Sequence, residues 1–430
     1  MPRLYCTVPA RDHPRANAAI ERSRHVRARA RGPALLPLQW EGVTGQIVRV
    51  LRHIPEALVF LAVLWVQFRL SRWLLDHFVA GASAAGRRIA RALTVIIAAW
   101  VAFGLFGNIP AIYRHFRFTD AMNWIRGYAL AWAMASVGAF LIFALWRRVP
   151  QLNSSRRGFI RASGTALVAA PFAVMGFGIF VERKRFHVRE VRISVPNLPK
   201  DLDGLRIAQL SDIHLSAFLS EQELAPAIDL ANELKPHLTV VTGDLISTRG
   251  DPLDACIRQI ARLKADAGVL GCLGNHEIFA GTENATEQKA ARIGVDFLRQ
   301  RSRQLRFGSA TLNISGVDYQ KMGGDYLVGA ERLIVPGATN ILLSHNSDVF
   351  DAAASQGWDV TLSGHTHGGQ VTVEILKQTL NAARFFTPYV YGLYRQGPSS
   401  IWVTRGIGTI GVPARLGAPP EVALIRLCAT

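Results

Sequence analysis

The stretch Leu205-Arg206-Ile207-Ala208-Gln209-Leu210-Ser211-Asp212-Ile213-His214 decides how the chain is read. A mostly apolar run bounded by a turn predicts a buried β-strand over 205–210. Side chains alternate faces along an extended chain, so residues two apart can point the same way. Asp212 and His214 then converge at the strand's carboxyl end, where open α/β sheets place their ligands. A carboxylate oxygen and an imidazole nitrogen suit a divalent transition metal. Alone, an Asp-x-His pair is weak evidence, because most such pairs are solvated loops. The remainder of the chain decides.

Downstream, apolar runs and amphipathic stretches alternate in a βα pattern. Residues 181–204 read as a linker and entry strand. A helix is expected over 221–234 and a strand over 238–242 that ends in Gly243-Asp244. A helix over 252–264 precedes a strand over 268–273 that ends in Gly274-Asn275-His276-Glu277. Further on, a strand over 340–343 ends in Ser344-His345, and after a short helix (348–355) a strand over 359–362 ends in Gly364-His365-Thr366-His367. Five strands thus end in metal-capable side chains, and Gly243, Gly274 and Gly364 let the backbone crowd a small site. A single Gly-Asp or His-x-His is commonly a plain turn; five ordered sets are hard to assemble by chance.

This set (Asp212-x-His214, Gly243-Asp244, Gly274-Asn275-His276-Glu277, His345, Gly364-His365-x-His367) resembles the calcineurin-like metallophosphoesterase superfamily over about residues 188–428. Arg384-Phe385-Phe386, Gly406-Ile407-Gly408, Val412-Pro413-Ala414-Arg415-Leu416-Gly417 and Pro420-Glu421 are similar to its bacterial membrane-associated phosphodiesterase branch, and the layout to transmembrane metallophosphoesterases. The resemblance implies an α/β fold, a four-layer αββα sandwich, in residues 181–430. It implies two divalent cations (Mn, Fe, Zn, Co or Ni). Asp212, His214, Asp244 and His367 would hold one, and Asn275, His345 and His365 the other, with Asp244 bridging. It also implies phosphoester hydrolysis by metal-activated hydroxide, with His276 stabilising the transition state or protonating the leaving oxygen. Asp318 matches a strand position of the family and reads equally well as a turn carboxylate. His187, His237, Glu277 and the cysteines are left as structural or solvated.

The amino-terminal third is different in kind. The chain carries a net charge of +18 and is 50% hydrophobic. Residues 1–161 hold 23 Arg or Lys against 6 Asp or Glu, and residues 162–430 hold 26 against 25. The basic residues flank apolar segments instead of covering the catalytic region, which fits membrane topology and gives no reason to expect a nucleic-acid partner. Residues 1–53 read as a basic, disordered tail. Residues 54–180 read as an all-α transmembrane region with spans at 89–109, 128–146 and 162–180. Residues 54–80, interrupted by Arg69, Arg72 and Asp76, are either a span or an interfacial helix. Gly104, Ala135 and Gly138 suit close helix packing. Ser154-Ser155-Arg156-Arg157-Gly158-Phe159-Ile160-Arg161 resembles a twin-arginine export signal, or reads as a basic anchor on the cytoplasmic side. Four cysteines show no metal-ligand or disulfide spacing.

The expected protein is therefore a multi-pass enzyme of a bacterial inner membrane, with its catalytic domain outside the cytoplasm. Its substrate partner is expected to be a membrane lipid or lipid-linked phosphoester. UDP-2,3-diacylglucosamine hydrolysis is a sharper alternative, although that substrate is cytoplasmic. A catalytically silent metal-binding sensor or scaffold is the rival from another class. Oligomeric state is not legible.

Overall fold

The computed structural model describes residues 54–79, 81–109, 118–148, 157–321, 323–375 and 378–430. The basic tail and residues 154–156 of the paired-arginine motif lie outside the described residues. Among the described residues, four helices come first: α1 (Ile54–Phe78), α2 (Ala84–Gly107), α3 (Asp120–Trp146) and α4 (Arg157–Phe180). Each is long and apolar enough to cross a membrane. The charges at Arg69, Arg72 and Asp76 do not interrupt α1, and Arg72 and Asp76 pair one turn apart at 3.9 Å. Helix α3 begins at Asp120 instead of 128, because the Thr119 side chain caps it by accepting from the Met122 N–H.

Residues 103–430 belong to one compact unit, and the described residues up to 102 belong to another. Within the first of these, α3 and α4 pack as a hairpin. Trp132 and Phe172 lie 4.6 Å apart, and Gly138 faces Pro171. Ala131, Ala135, Met175 and Ile179 of this hairpin form one buried cluster with Val412 and Ala414 from the carboxyl-terminal loop. The expected linker is fixed in place. Arg183 donates to Ile179 O and Phe218 O, pairs with Glu223 at 3.5 Å and lies 5.3 Å from the Trp124 ring.

The elements that follow are β1 (His187–Val195), β2 (Arg206–Leu210), α5 (Glu221–Glu233), β3 (Leu238–Thr242), α6 (Leu253–Ile260), β4 (Val269–Cys272), α7 (Asn275–Ala280), α8 (Glu283–Arg292) and β5 (Val295–Phe297). They continue with β6 (Arg301–Phe307), β7 (Ala310–Gly316), β8 (Thr339–Leu343), α9 (Phe350–Gln356), β9 (Val360–Ser363), β10 (Val373–Ile375), β11 (Gln378–Leu380), β12 (Gly392–Gln396), β13 (Ser399–Val403) and β14 (Glu421–Ala429). One six-stranded sheet has the order β1-β14-β2-β3-β4-β5, and the other β12-β13-β9-β8-β7-β6.

The layers follow from which faces are apolar. Ile207, Leu238, Val240 and Leu270 of the first sheet meet Leu312, Ile341, Leu343 and Leu362 of the second in one buried cluster. The other face of the first sheet packs on α5, α6 and α8 through Leu224, Ile228, Ile257 and Ala290. The other face of the second packs on α9 through Leu342, Ala353 and Trp358. This is the four-layer αββα sandwich. Strands β2 to β5 run parallel, as do β7 to β9. The carboxyl ends of β2, β3, β4, β8 and β9 therefore deliver the expected ligand sets.

The hairpin docks where it has no side chain to spare. A Cβ on Gly127 would meet Pro413 at 2.7 Å and Phe218 at 2.8 Å. Gly127→Val should therefore destabilise the detergent-solubilised protein by about 1–3 kcal/mol, read as a lower thermal midpoint. An unchanged midpoint would show that this contact does not hold the hairpin.

Candidate metal centre

Each predicted residue sits just beyond its strand, and the structure brings them together. The donor atoms of Asp212, His214 and His367 lie within 4.8 Å of one another, as do those of Asp244, His345 and His365, and those of His214, Asp244 and His276. His345 Nε2 is 3.0 Å from Asp244 Oδ2, His214 Nε2 is 3.4 Å from the same oxygen, and His367 Nε2 is 3.4 Å from Asp212 Oδ1. Asp244 stands between the two groups. Asp212, His214, Asp244, Asn275, His276, His345 and His367 are buried.

The backbone is strained to achieve this. Asp212, His214, Asp244, His365 and His367 all have φ between 48° and 75°. Non-glycine residues rarely occupy this left-handed region, which costs about 1–3 kcal/mol each and collects at functional sites. The glycines of the motifs are required by space. A Cβ on Gly274 would lie 2.1 Å from Asp244 Oδ1, and one on Gly364 would lie 2.2 Å from Asp212 Oδ2.

Surrounding groups fix which ring nitrogen faces the centre. His345 Nδ1 lies 2.7 Å from Thr242 O, and His276 Nδ1 is bonded to Ser247 O. A carbonyl only accepts, so both Nδ1 atoms carry the proton and both Nε2 atoms keep a lone pair when the rings are neutral. His214 Nδ1 is 3.1 Å from Ser247 Oγ.

Two observations test whether these residues fit metal ions. Asn275 Oδ1 is buried and lacks a hydrogen-bond partner, a costly state for a group withdrawn from water. His214 Nε2 and His367 Nε2 face each other at 3.1 Å, an arrangement suited to two lone pairs aimed at one cation. The donor set is mixed O and N, as first-row divalent metals prefer. The residues fit.

Charge points the same way. Burial would raise the Asp244 carboxyl, but His345 and His276 hold it well below the usual carboxylate range. Burial would lower His345, yet Asp244 and Asp212 raise it to about 10. The carboxylates thus call for positive charge beside them. Burial pushes His276 down to about 4 and His365 to about 3, so these rings are neutral near pH 7, as ligation or proton acceptance requires.

Several supporting residues were assigned no role by sequence. Fully buried Glu277 accepts from the N–H groups of Asp244, Leu245 and Gly274 at 2.7–3.0 Å. Three backbone donors on one carboxylate fix the turn that presents Asp244. Gly406 and Gly408 press against Asp212 and Ile213, where a Cβ would come within 2.5 and 2.1 Å, and Gly408 N–H donates to Asp212 O. Buried Arg415 donates to His367 O, Gly408 O and Ala418 O. These marks were visible only as motif letters, because their partners lie far away in the chain. Asp318 pairs with Arg299 at 2.9 Å and joins none of the ligand groups. His237 accepts from the Arg206 N–H, and Cys256 and Cys272 are buried.

The family profile described as calcineurin-like phosphoesterase matches residues 205–369, which contain all seven expected ligands and His276. The chain is 29% identical over 284 residues to YkuE, an uncharacterized metallophosphoesterase of Bacillus subtilis, covering 64% of this chain and 98% of that protein. It is 29% identical over 284 residues to the phosphodiesterase YaeI of Escherichia coli, covering 64% and 99%. A transmembrane protein with metallophosphoesterase domain from Danio rerio is 27% identical over 309 residues, 66% of this chain and 69% of that protein.

Glu277→Ala should weaken metal affinity about 10- to 100-fold although Glu277 is not itself a candidate ligand. Metal titration of the purified variant checks this. Unaltered affinity would show that the three N–H bonds do not position Asp244.

Proposed function

The chain belongs to the calcineurin-like metallophosphoesterase family and is a metal-dependent phosphoester hydrolase; on that premise we propose that it is a membrane-anchored, two-metal phosphodiesterase acting on a lipid or lipid-linked phosphodiester. The observation that carries the two-metal reading is the position of Asp244 between two groups of donors.

Asp212, His214, Asp244 and His367 would hold one cation, and Asp244, Asn275, His345 and His365 the other. When bound, such a pair supplies hydroxide at neutral pH and offsets charge on the phosphoryl oxygens. Neutral His and Asn hold cations without cancelling their charge. Thr242 O and Ser247 O orient the His345 and His276 rings through their Nδ1–H groups. Glu277 and the glycines keep the turns at the spacing that burial alone would not maintain.

His276 handles the proton. Its Nε2 is the free nitrogen, and its ring lies edge-on to His214 with centroids 4.7 Å apart. Burial keeps it neutral, and the negative charge of a bound phosphoester is the interaction that raises its proton affinity. It is then placed to stabilise the transition state or protonate the leaving oxygen.

The lipid reading is supported by helices long and apolar enough to cross a membrane in the same compact unit as the enzyme. We place the catalytic unit outside the cytoplasm. With α1 lying at the interface, and α2, α3 and α4 crossing, Arg87, Arg88, Arg147, Arg148 and Arg157 all fall on the cytoplasmic side, in accord with the positive-inside rule.

Four experiments check these statements. His276→Ala should keep both metals and lose about 100- to 10,000-fold in turnover on bis-p-nitrophenyl phosphate. Asp244→Ala should lose metal and turnover together, and metal content preserved in that variant would refute the bridging role. A carboxyl-terminal reporter active only in the cytoplasm should be silent; activity would reverse the topology. A panel of phospholipids and UDP-2,3-diacylglucosamine separates the substrate classes.

A further inference from the structure

A cavity of about 380 Å³ lies beside the metal centre, with His365, Thr366 and His367 in its wall. That volume falls within the range of small-molecule sites. Most of the remaining wall is apolar: Met134 from α3, with Val371, Ala383, Phe386, Ile410 and Val412.

The polar residues in that wall are already engaged by the protein. Gln370 Nε2 donates to Ile410 O and Val412 O, and its Oε1 accepts from the Ile410 N–H. Asn346 donates to Gln320 O and accepts from the Asp348 N–H. Ser347 Oγ donates to Tyr389 O, and Thr366 Oγ1 donates to Val390 O. Asp348 is different, since its Oδ1 has no hydrogen-bond partner. A carboxylate there repels a second phosphate. An entering second phosphate would lose its water and find few donors in return, whereas a hydrocarbon chain gives up no hydrogen bonds of its own.

Location adds an independent argument. Met134 stands about 20 Å along α3 from Asp120, at about 1.5 Å per residue. It is therefore well inside a helix apolar enough to cross a membrane. Phe385 and Phe386 are 89% and 71% exposed, two large apolar side chains left uncovered where Phe386 borders the cavity. Lipid is the surrounding that makes such exposure favourable.

We propose that this cavity is a hydrocarbon-chain subsite, which seats the acyl or alkyl tail of the substrate while its phosphorus reaches the histidines. The proposal rests on the phosphodiesterase reading of the metal centre and adds which part of the substrate the enzyme grips. Met134 makes α3 part of the binding site as well as an anchor.

The test uses the full detergent-solubilised protein and p-nitrophenyl phosphodiesters whose second alcohol is methyl, butyl, octyl or dodecyl, assayed below their micelle concentrations. With one leaving group throughout, only the chain differs. kcat/KM should rise along the series, by up to about fourfold for each methylene buried. Ala383→Trp and Met134→Trp, which fill the cavity, should flatten the rise, so that the ratio of dodecyl- to methyl-ester kcat/KM falls toward one. A series that is flat in the parent protein, or a rise that survives in both variants, overturns the subsite. Failure to hydrolyse even the methyl ester with metals bound overturns the phosphodiesterase reading itself, and with it the subsite.

Discussion

A carboxylate removed from water needs a positive partner, and Asp244 is such a carboxylate. It is buried between two sheets, with histidine nitrogens at 3.0 and 3.4 Å from one oxygen. Isolated, an ionised carboxylate in this position would be costly. Much of the surrounding structure follows from keeping it there, ionised and shared. The turn after β3 is fixed by Glu277, the glycines on either side make room, and the strand ends of both sheets supply imidazole nitrogens and an amide oxygen around it. The fold is the means by which distant segments reach one carboxylate.

The parts of this site legible in the sequence were those coded locally. Asp-x-His, Gly-Asp, Gly-Asn-His and Gly-His-x-His each follow an apolar run, and the structure places each at a strand end. The four-layer sandwich was legible only through resemblance, since alternation of strands and helices does not specify how two sheets stack. Glu277 illustrates what was hidden. Its neighbours in the chain are Asn275 and His276, yet its work is done on Asp244 and Leu245, some thirty residues away. Arg415 and the pair Gly406 and Gly408 act on His367 and Asp212 across larger separations still. Such roles depend on which loops meet in space, and no local spacing encodes that.

The junction between helices and enzyme is tighter than the charge pattern of residues 181–186 implies. Charged residues after α4 suggested a linker, but Arg183 ties the helix end to Phe218 and Glu223. The carboxyl-terminal loop that packs on α3 and α4 is the same loop whose Arg415 holds His367. Anchor and active-site loop thus share one set of contacts. An enzyme fixed to its own helices in this manner has its metal centre at a defined height relative to them, as the proposed lipid substrate would require.

The central claim is that Asp244 joins two cation sites, one beside Asp212, His214 and His367 and one beside Asn275, His345 and His365. Anomalous diffraction from crystals of the metal-loaded protein, collected at the absorption edge of the metal supplied, tests it most directly. The account predicts two peaks flanking the Asp244 carboxylate. A single peak, or peaks that do not touch Asp244, would contradict it.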